Sequence, residues 1–193
     1  MGKIILVSAT PLEHGGLRDI NGIPIFQVGI GKINAASNLT EILWNEEPDV
    51  VINFGSCGNL KNHKVGEVLE VGRVYNNIDC EPFAPYGCTP HSDICDIQLS
   101  NSDIKCFTTD QFYDNHRTDY SKKYLESIEN CDIVDMECYA MAYVCKQRDI
   151  TFKSYKWISD DGDSSKWEEN AKIGFDNFTK ILNKEFLENY FDL

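Results

Sequence analysis

Residues 23–54 read IPIFQVGIGKINAASNLTEILWNEEPDVVINF, and this stretch decides the fold. Its two ends, IPIFQV at 23–28 and DVVINF at 49–54, are short β-branched and aliphatic runs, the second entered after Pro48 and left at Gly55. Both predict strands. Between them, residues 31–45 carry Ile33, Ala36, Leu39, Ile42 and Leu43 at three-and-four spacing, the apolar stripe of an amphipathic helix. A strand, a helix and a buried strand in succession make a βαβ unit and imply parallel pairing. The alternation extends both ways. Residues 3–8 (KIILVS), 65–75, 104–108 (IKCFT) and 151–159 (TFKSYKWIS) predict strands, and residues 119–129 and 137–147 predict helices. Trp167, Ala171, Phe175, Phe178, Ile181 and Leu182 form one stripe, predicting a long final helix from about 164 to 190 that packs over the sheet. The expected fold class is α/β, with helices layered on a mostly parallel or mixed central sheet. With 193 residues, 42% of them hydrophobic, the chain is expected to form a single domain over 1–193.

The charge balance narrows the partners. There are 31 acidic and 18 basic side chains, a net charge of −13, and the Lys and Arg residues form no run. Binding nucleic acid or an anionic membrane starts with Lys and Arg neutralising phosphates, so neither is an expected partner. No apolar stretch approaches the roughly 20 residues of a membrane-spanning helix, and the start MGKIILVSATP fits neither a signal peptide nor a myristoylation site. A cytoplasmic protein is the expectation. Of the eight cysteines, Cys57, Cys106, Cys138 and Cys145 lie in apolar segments and read as small buried hydrophobes. Cys80, Cys88, His91 and Cys95 share one Gly- and Pro-rich stretch, but their Cys-x7-Cys-x2-His-x3-Cys spacing matches no familiar zinc knot, and no metal is expected. They lie in residues 77–103, the one long irregular stretch, of a length that is usually functional or disordered.

In α/β proteins ligands collect at the carboxyl ends of strands. The segments following the predicted strands are SATPLE at 8–13, GIGKINAA from Gly29, GSCGNL from Gly55, TDQFYD from Thr109, Glu137 after the 133–136 run, and ISDDGD from Ile158. Several small loops meeting at one edge, with three carboxylates among them, point to a hydrolytic site. Gly29 and Gly31 begin no dinucleotide fingerprint, because the third glycine of GxGxxG is absent, and no cofactor is expected.

Together VGIGKINAA, VINFGSCGNL, VGEVLEV, VDMECYAMAYVC and WISDDGD resemble, in order and spacing, the purine nucleoside phosphorylase and nucleosidase superfamily. They are most similar to its 5'-methylthioadenosine/S-adenosylhomocysteine nucleosidases. The resemblance implies a three-layer α/β/α sandwich around a mixed, barrel-like sheet, and hydrolysis of the N-glycosidic bond of a purine nucleoside. Asp160 then matches the general acid for N7 of the base, and Glu13 the residue that orients and activates water. Glu137 matches the acceptor for the ribose hydroxyls, with Met136 beneath the sugar. Ser56, Gly55 and Gly58 match a loop lining the ribose and water site, in which Cys57 and Asn59 replace smaller residues. Phe112 and Tyr113 match the segment that stacks on and contacts the purine, and Ser159 a support for Asp160 or the base edge. Phe83 matches an aromatic lent across a subunit interface, so a homodimer is implied. The chain is shorter than typical members between Tyr86 and Phe107, where the 5' pocket is built. Related phosphorylases bind phosphate with arginines near the first strand; here Glu13 would repel an anion, and Arg18 and Arg73 sit in no such motif. Futalosine hydrolase, which tends to carry Asn in place of Asp160, another nucleoside hydrolase or phosphorylase, and a non-catalytic nucleoside-binding or storage protein are the alternatives.

Overall fold

The computed structural model describes residues 2–92 and 94–187. Strands β1 (Ile4–Ser8), β2 (Asp19–Ile20) and β3 (Ile23–Gln27) precede helix α1 (Lys32–Glu46) and the long β4 (Val50–Asn59). Next come β5 (Val68–Glu70), β6 (Arg73–Asn76), β7 (Asp96–Gln98) and β8 (Lys105–Thr108), then α2 (Lys122–Glu129), β9 (Ile133–Asp135) and α3 (Cys138–Gln147). Strand β10 (Thr151–Asp160) leads into two short helices, α4 (Trp167–Asn170) and α5 (Phe175–Leu182). The ten strands form one mixed sheet in the order β2-β3-β1-β4-β9-β8-β6-β7, with β10 beside β4 and β5 beside β10. The βαβ unit closes with β1 between its two strands, parallel to both β3 and β4.

Helices cover both faces, as the amphipathic stripes require. On one face, Ala35, Leu39 and Leu43 of α1 and Met141, Ala142 and Cys145 of α3 bury against Ile5, Val7 and Val51. On the other, Phe175, Phe178 and Leu182 of α5 meet Phe54, Tyr155 and Trp157, with the Phe54 and Phe178 rings stacked 4.7 Å apart. Each such side chain, once buried, stabilises the fold by roughly 1.5–3 kcal/mol. Helix α2 supports the far end of the sheet through Tyr124 and Ile128 against Phe107 and Val134.

Three expectations are corrected, and one disulfide was not foreseen. The final helix is broken: α4 and α5 are separated by residues 171–174, and it is α5 that lays Phe175, Phe178 and Leu182 onto the sheet. Within the break the chain passes flat against the indole of Trp157: a Cβ at Gly174 would lie 2.2 Å from its Cγ. Residues 188–190 of that expected helix lie outside the described residues. The 65–75 strand divides at Gly72 into β5, which pairs with β10, and β6, which pairs with β7 and β8. Residues 55–59, read as a loop, continue β4. Finally, Cys88 and Cys95 form a disulfide with their Cα atoms 4.5 Å apart, which removes two of the four zinc-ligand candidates. Cys57, Cys106, Cys138 and Cys145 are buried and free, as expected.

The sheet itself creates the notch for a site. Along one edge of β4, β1 pairs with Val50 to Asn53, and β9, running the opposite way, pairs with Gly58 and Asn59. Strand β10 holds the other edge throughout. The carboxyl ends of β1 and β9 therefore face each other across residues 54–57 of β4. Backbone groups pointing into that gap meet neither β1 nor β9, and the Ser56 N–H turns to a side chain instead.

Candidate active site

A cavity of about 290 Å³ opens at this notch. Glu13, Ser56 and Gly58 border it from the β1 and β4 side, Phe112 and Tyr113 from the segment after β8. Met136, Glu137 and Asp160 complete it from the ends of β9 and β10. Eight of the ten expected site residues thus line one space. Ser159 is fully buried behind Asp160, and Phe83 stands on the surface, 83% exposed. Among the described residues no Lys, Arg or His borders the cavity.

Glu13 reaches the gap because Pro11–Glu13 forms a short 3-10 turn capped by Thr10, whose backbone N–H donates back to the Glu13 carboxylate. Oε2 accepts from the N–H groups of Ala9 (3.1 Å) and Thr10 (3.3 Å). Oε1 accepts from the N–H (2.8 Å) and hydroxyl (3.0 Å) of Ser56, which lies where neither β1 nor β9 covers that edge of β4. Gly55 is required beside it, since a Cβ there would lie 2.5 Å from Oε1. Burial raises the Glu13 pKa, against the pull of Lys156 and these hydrogen bonds, moving it toward the range of a useful proton acceptor.

Asp160 ends β10, with Oδ1 accepting from the Gly162 N–H at 2.9 Å. The Ser159 hydroxyl lies 2.8 Å from Oδ2 and 3.1 Å from the carbonyl of Cys57. A hydroxyl has one hydrogen, which Ser159 donates to one of these two acceptors, the Asp160 carboxylate or the Cys57 carbonyl. Burial raises the Asp160 pKa, outweighing the hydrogen bonds from Ser159 and Gly162.

Glu137 opens α3 and accepts from the N–H of Gly31 at 2.9 Å, while Asp110 accepts from Lys32 N–H at 2.7 Å. Two carboxylates thus occupy the positive end of α1. Beneath Glu137, Asp135 accepts from Thr108 (2.7 Å) and from the Cys138 N–H (2.8 Å), and pairs with Nζ of Lys156 at 2.9 Å. Lys156 is only 2% exposed. Burial opposes charge on both partners, yet the pair prevails: Asp135 is held below the usual carboxylate range and Lys156 above its own. Lys156 also lowers the pKa values of Glu13 and Glu137. The sequence reading did not single it out; the signal was a lysine inside a strand adjoining three convergent carboxylates.

One cation cannot serve every acid, and burial, with the nearby Asp135 charge, pushes Glu137 up to about 8. Between its ordinary value of 4.5 and about 8, the folded chain holds a proton that the unfolded chain releases. This group therefore costs stability progressively as pH rises through that window. Glu137→Gln is expected to melt increasingly above the wild type as pH goes from 5 to 8; a difference in melting temperature independent of pH would contradict the assignment.

The comparisons with known proteins agree with this geometry. The family model described as Phosphorylase superfamily matches residues 16–187. A 5'-methylthioadenosine/S-adenosylhomocysteine nucleosidase of Exiguobacterium sp. is 30% identical over 179 residues, spanning 81% of this chain and 72% of that one. Among solved structures, the nucleosidase of the same name from Neisseria meningitidis, in complex with methylthio-immucillin-A, superposes with a TM-score of 0.77 at 21% identity, covering 93% of this chain and 96% of that chain. The futalosine hydrolase of Helicobacter pylori gives 0.75 at 19% identity, covering 94% and 97%. At these identities the two structures show the shared fold.

Proposed function

The chain belongs to the phosphorylase superfamily, and from that membership we propose that it is a purine nucleosidase. Its substrates are nucleosides of the 5'-methylthioadenosine and S-adenosylhomocysteine kind, cleaved by water at the N-glycosidic bond. The observation that carries this reading is the meeting of Glu13, Glu137 and Asp160 around one cavity at the break in β4 pairing.

Cleavage needs a proton for the departing base and a nucleophile for an oxocarbenium-like sugar. Asp160, whose burial favours the protonated form, gives its proton to N7 as the C1'–N9 bond breaks. Water held at Glu13 adds to C1' and gives its proton to that carboxylate. Glu137 takes the ribose hydroxyls, Met136 packs under the sugar, and Phe112 offers a ring face to the purine. A carboxylate at the nucleophile end, and no bordering cation among the described residues, favour water over phosphate. Arg73 is engaged by Asp96 and Gln98, away from the cavity.

A homodimer belongs to the same proposal. Phe83 is one of several exposed large apolar side chains, with Ile33 and Trp44 among the others, and it would cover the 5' group bound by a second copy. Phe83→Ala is expected to raise KM for a 5'-alkylthio nucleoside about fivefold to tenfold with little change for adenosine, in a protein that sediments as a dimer. A monomeric wild type, or an equal effect on both substrates, would contradict it. A cytoplasmic place in methionine salvage is also inferred. The six free cysteines support a reducing compartment, the Cys88–Cys95 disulfide being the exception.

The test is to follow free base from methylthioadenosine, adenosylhomocysteine, adenosine, inosine and futalosine. Release from the first two in preference to futalosine is expected. Preference for futalosine would reassign the 5' specificity, and binding without any release would leave a nucleoside-binding protein.

A further inference from the structure

Trp167 was expected on the core stripe of the final helix, but the break before α5 turns it to the cavity, beside Ser56 and Phe112. Its indole N–H donates to Oγ of Ser56 at 2.9 Å, and its ring meets Phe112 edge-on with centroids 6.1 Å apart. The Ser56 hydroxyl then reaches Oε1 of Glu13 at 3.0 Å. We propose that Trp167 is a positioning residue for the nucleophilic water, acting by fixing the Ser56 hydroxyl as a donor to Glu13.

A serine hydroxyl is a rotor with one hydrogen and can point it at water, substrate or protein. Once its oxygen accepts from the indole N–H, its own hydrogen is directed to the remaining partner, the Glu13 carboxylate. The Phe112 edge and the indole hydrogen bond fix the ring at two points, so the donor stays in place as ligands enter. The assigned chain runs from α4 through β4 to Glu13. It gives the segment after Asp160, which contributes the expected general acid, a second connection to the opposite end of the reaction.

The inference rests on the nucleosidase reading, and the experiment separates the two. Base release by the wild type is measured first; none from any nucleoside would remove the reading itself. Given turnover, Trp167→Phe keeps a ring and deletes the N–H. Its kcat is expected to fall about tenfold with KM within twofold, and the acid limb of its kcat profile to move to higher pH, because Glu13 loses an assured donor to its charged form. Ser56→Ala should reproduce that shift, and the double variant should add little to either single one. An unmoved acid limb in the Phe variant, or strictly additive losses, would overturn the proposal. Additivity would mean that Trp167 does not act through Ser56.

Discussion

Asp160→Asn lowers the rate of base release by about 10²–10⁴-fold while leaving nucleoside affinity within a few-fold. Asparagine keeps the shape and can still accept from Gly162. It cannot transfer a proton to N7. The pH profile follows with its sign: as the proposed acid, Asp160 would work protonated, burial raises its pKa, and the rate is expected to fall as pH climbs through that raised value. In the Asn variant this alkaline limb should vanish along with most of the rate. Stopped-flow or quench measurement of adenine release, beside ligand titration of the same protein, reads both quantities. A variant with wild-type turnover would move the acid to another group.

Lys156→Met carries the largest expected effect on stability, about 3–5 kcal/mol, because it leaves the Asp135 carboxylate buried without its cation. Methionine fills much the same space, so the loss is electrostatic. Adding Asp135→Asn to Lys156→Met should recover a substantial part of the loss, since no charge is then stranded. Urea unfolding at neutral pH measures Lys156→Met, Asp135→Asn, the double variant and the wild type as a cycle. If the Met variant unfolds within about 1 kcal/mol of the wild type, the pair is not the anchor of the site. The pair's own pH window is acidic. Asp135 sits below its ordinary value of 3.8, so its contribution is present above that value and is lost as pH falls through the depressed one.

Lys156 also shows where sequence reading stops. Alternation in TFKSYKWIS predicts a strand with one wet face, and a lysine on it reads as solvated. But β10 is covered on both faces, by the Trp157 cluster on one and the α1 and α3 cluster on the other, so period-two logic fails there. Trp167 was hidden for a related reason. Its spacing to Ala171 and Phe175 suits one continuous helix, and nothing local announces that Gly174 must press against Trp157, a partner far away in the chain. The glycines of GSCGN suggested a loop, whereas they are strand residues at close approaches, Gly55 to Glu13 and Gly58 to Val134.

What was legible was set by local pattern and by motif. Helix α1 and the apolar runs around it needed only periodicity, although its buried face is Ala35, Leu39 and Leu43 while Ile33 of the expected stripe is exposed; the parallel sense of β3 and β4 followed from connection rules, but β1 pairs between them. Glu13, Glu137 and Asp160 were recoverable because each lies just past a strand in a motif of fixed order, although 147 positions separate the first from the last. The reason they meet, two half-sheets directing their carboxyl ends at one gap in β4, is a property of strand register and appears only in three dimensions.

The most direct measurement is to incubate the purified full chain with methylthioadenosine in phosphate-free buffer and quantify adenine and reducing sugar together. The account predicts equal amounts of adenine and free methylthioribose, at a rate unchanged by added phosphate. Adenine formed only when phosphate is present, with a sugar phosphate as its partner, would contradict it.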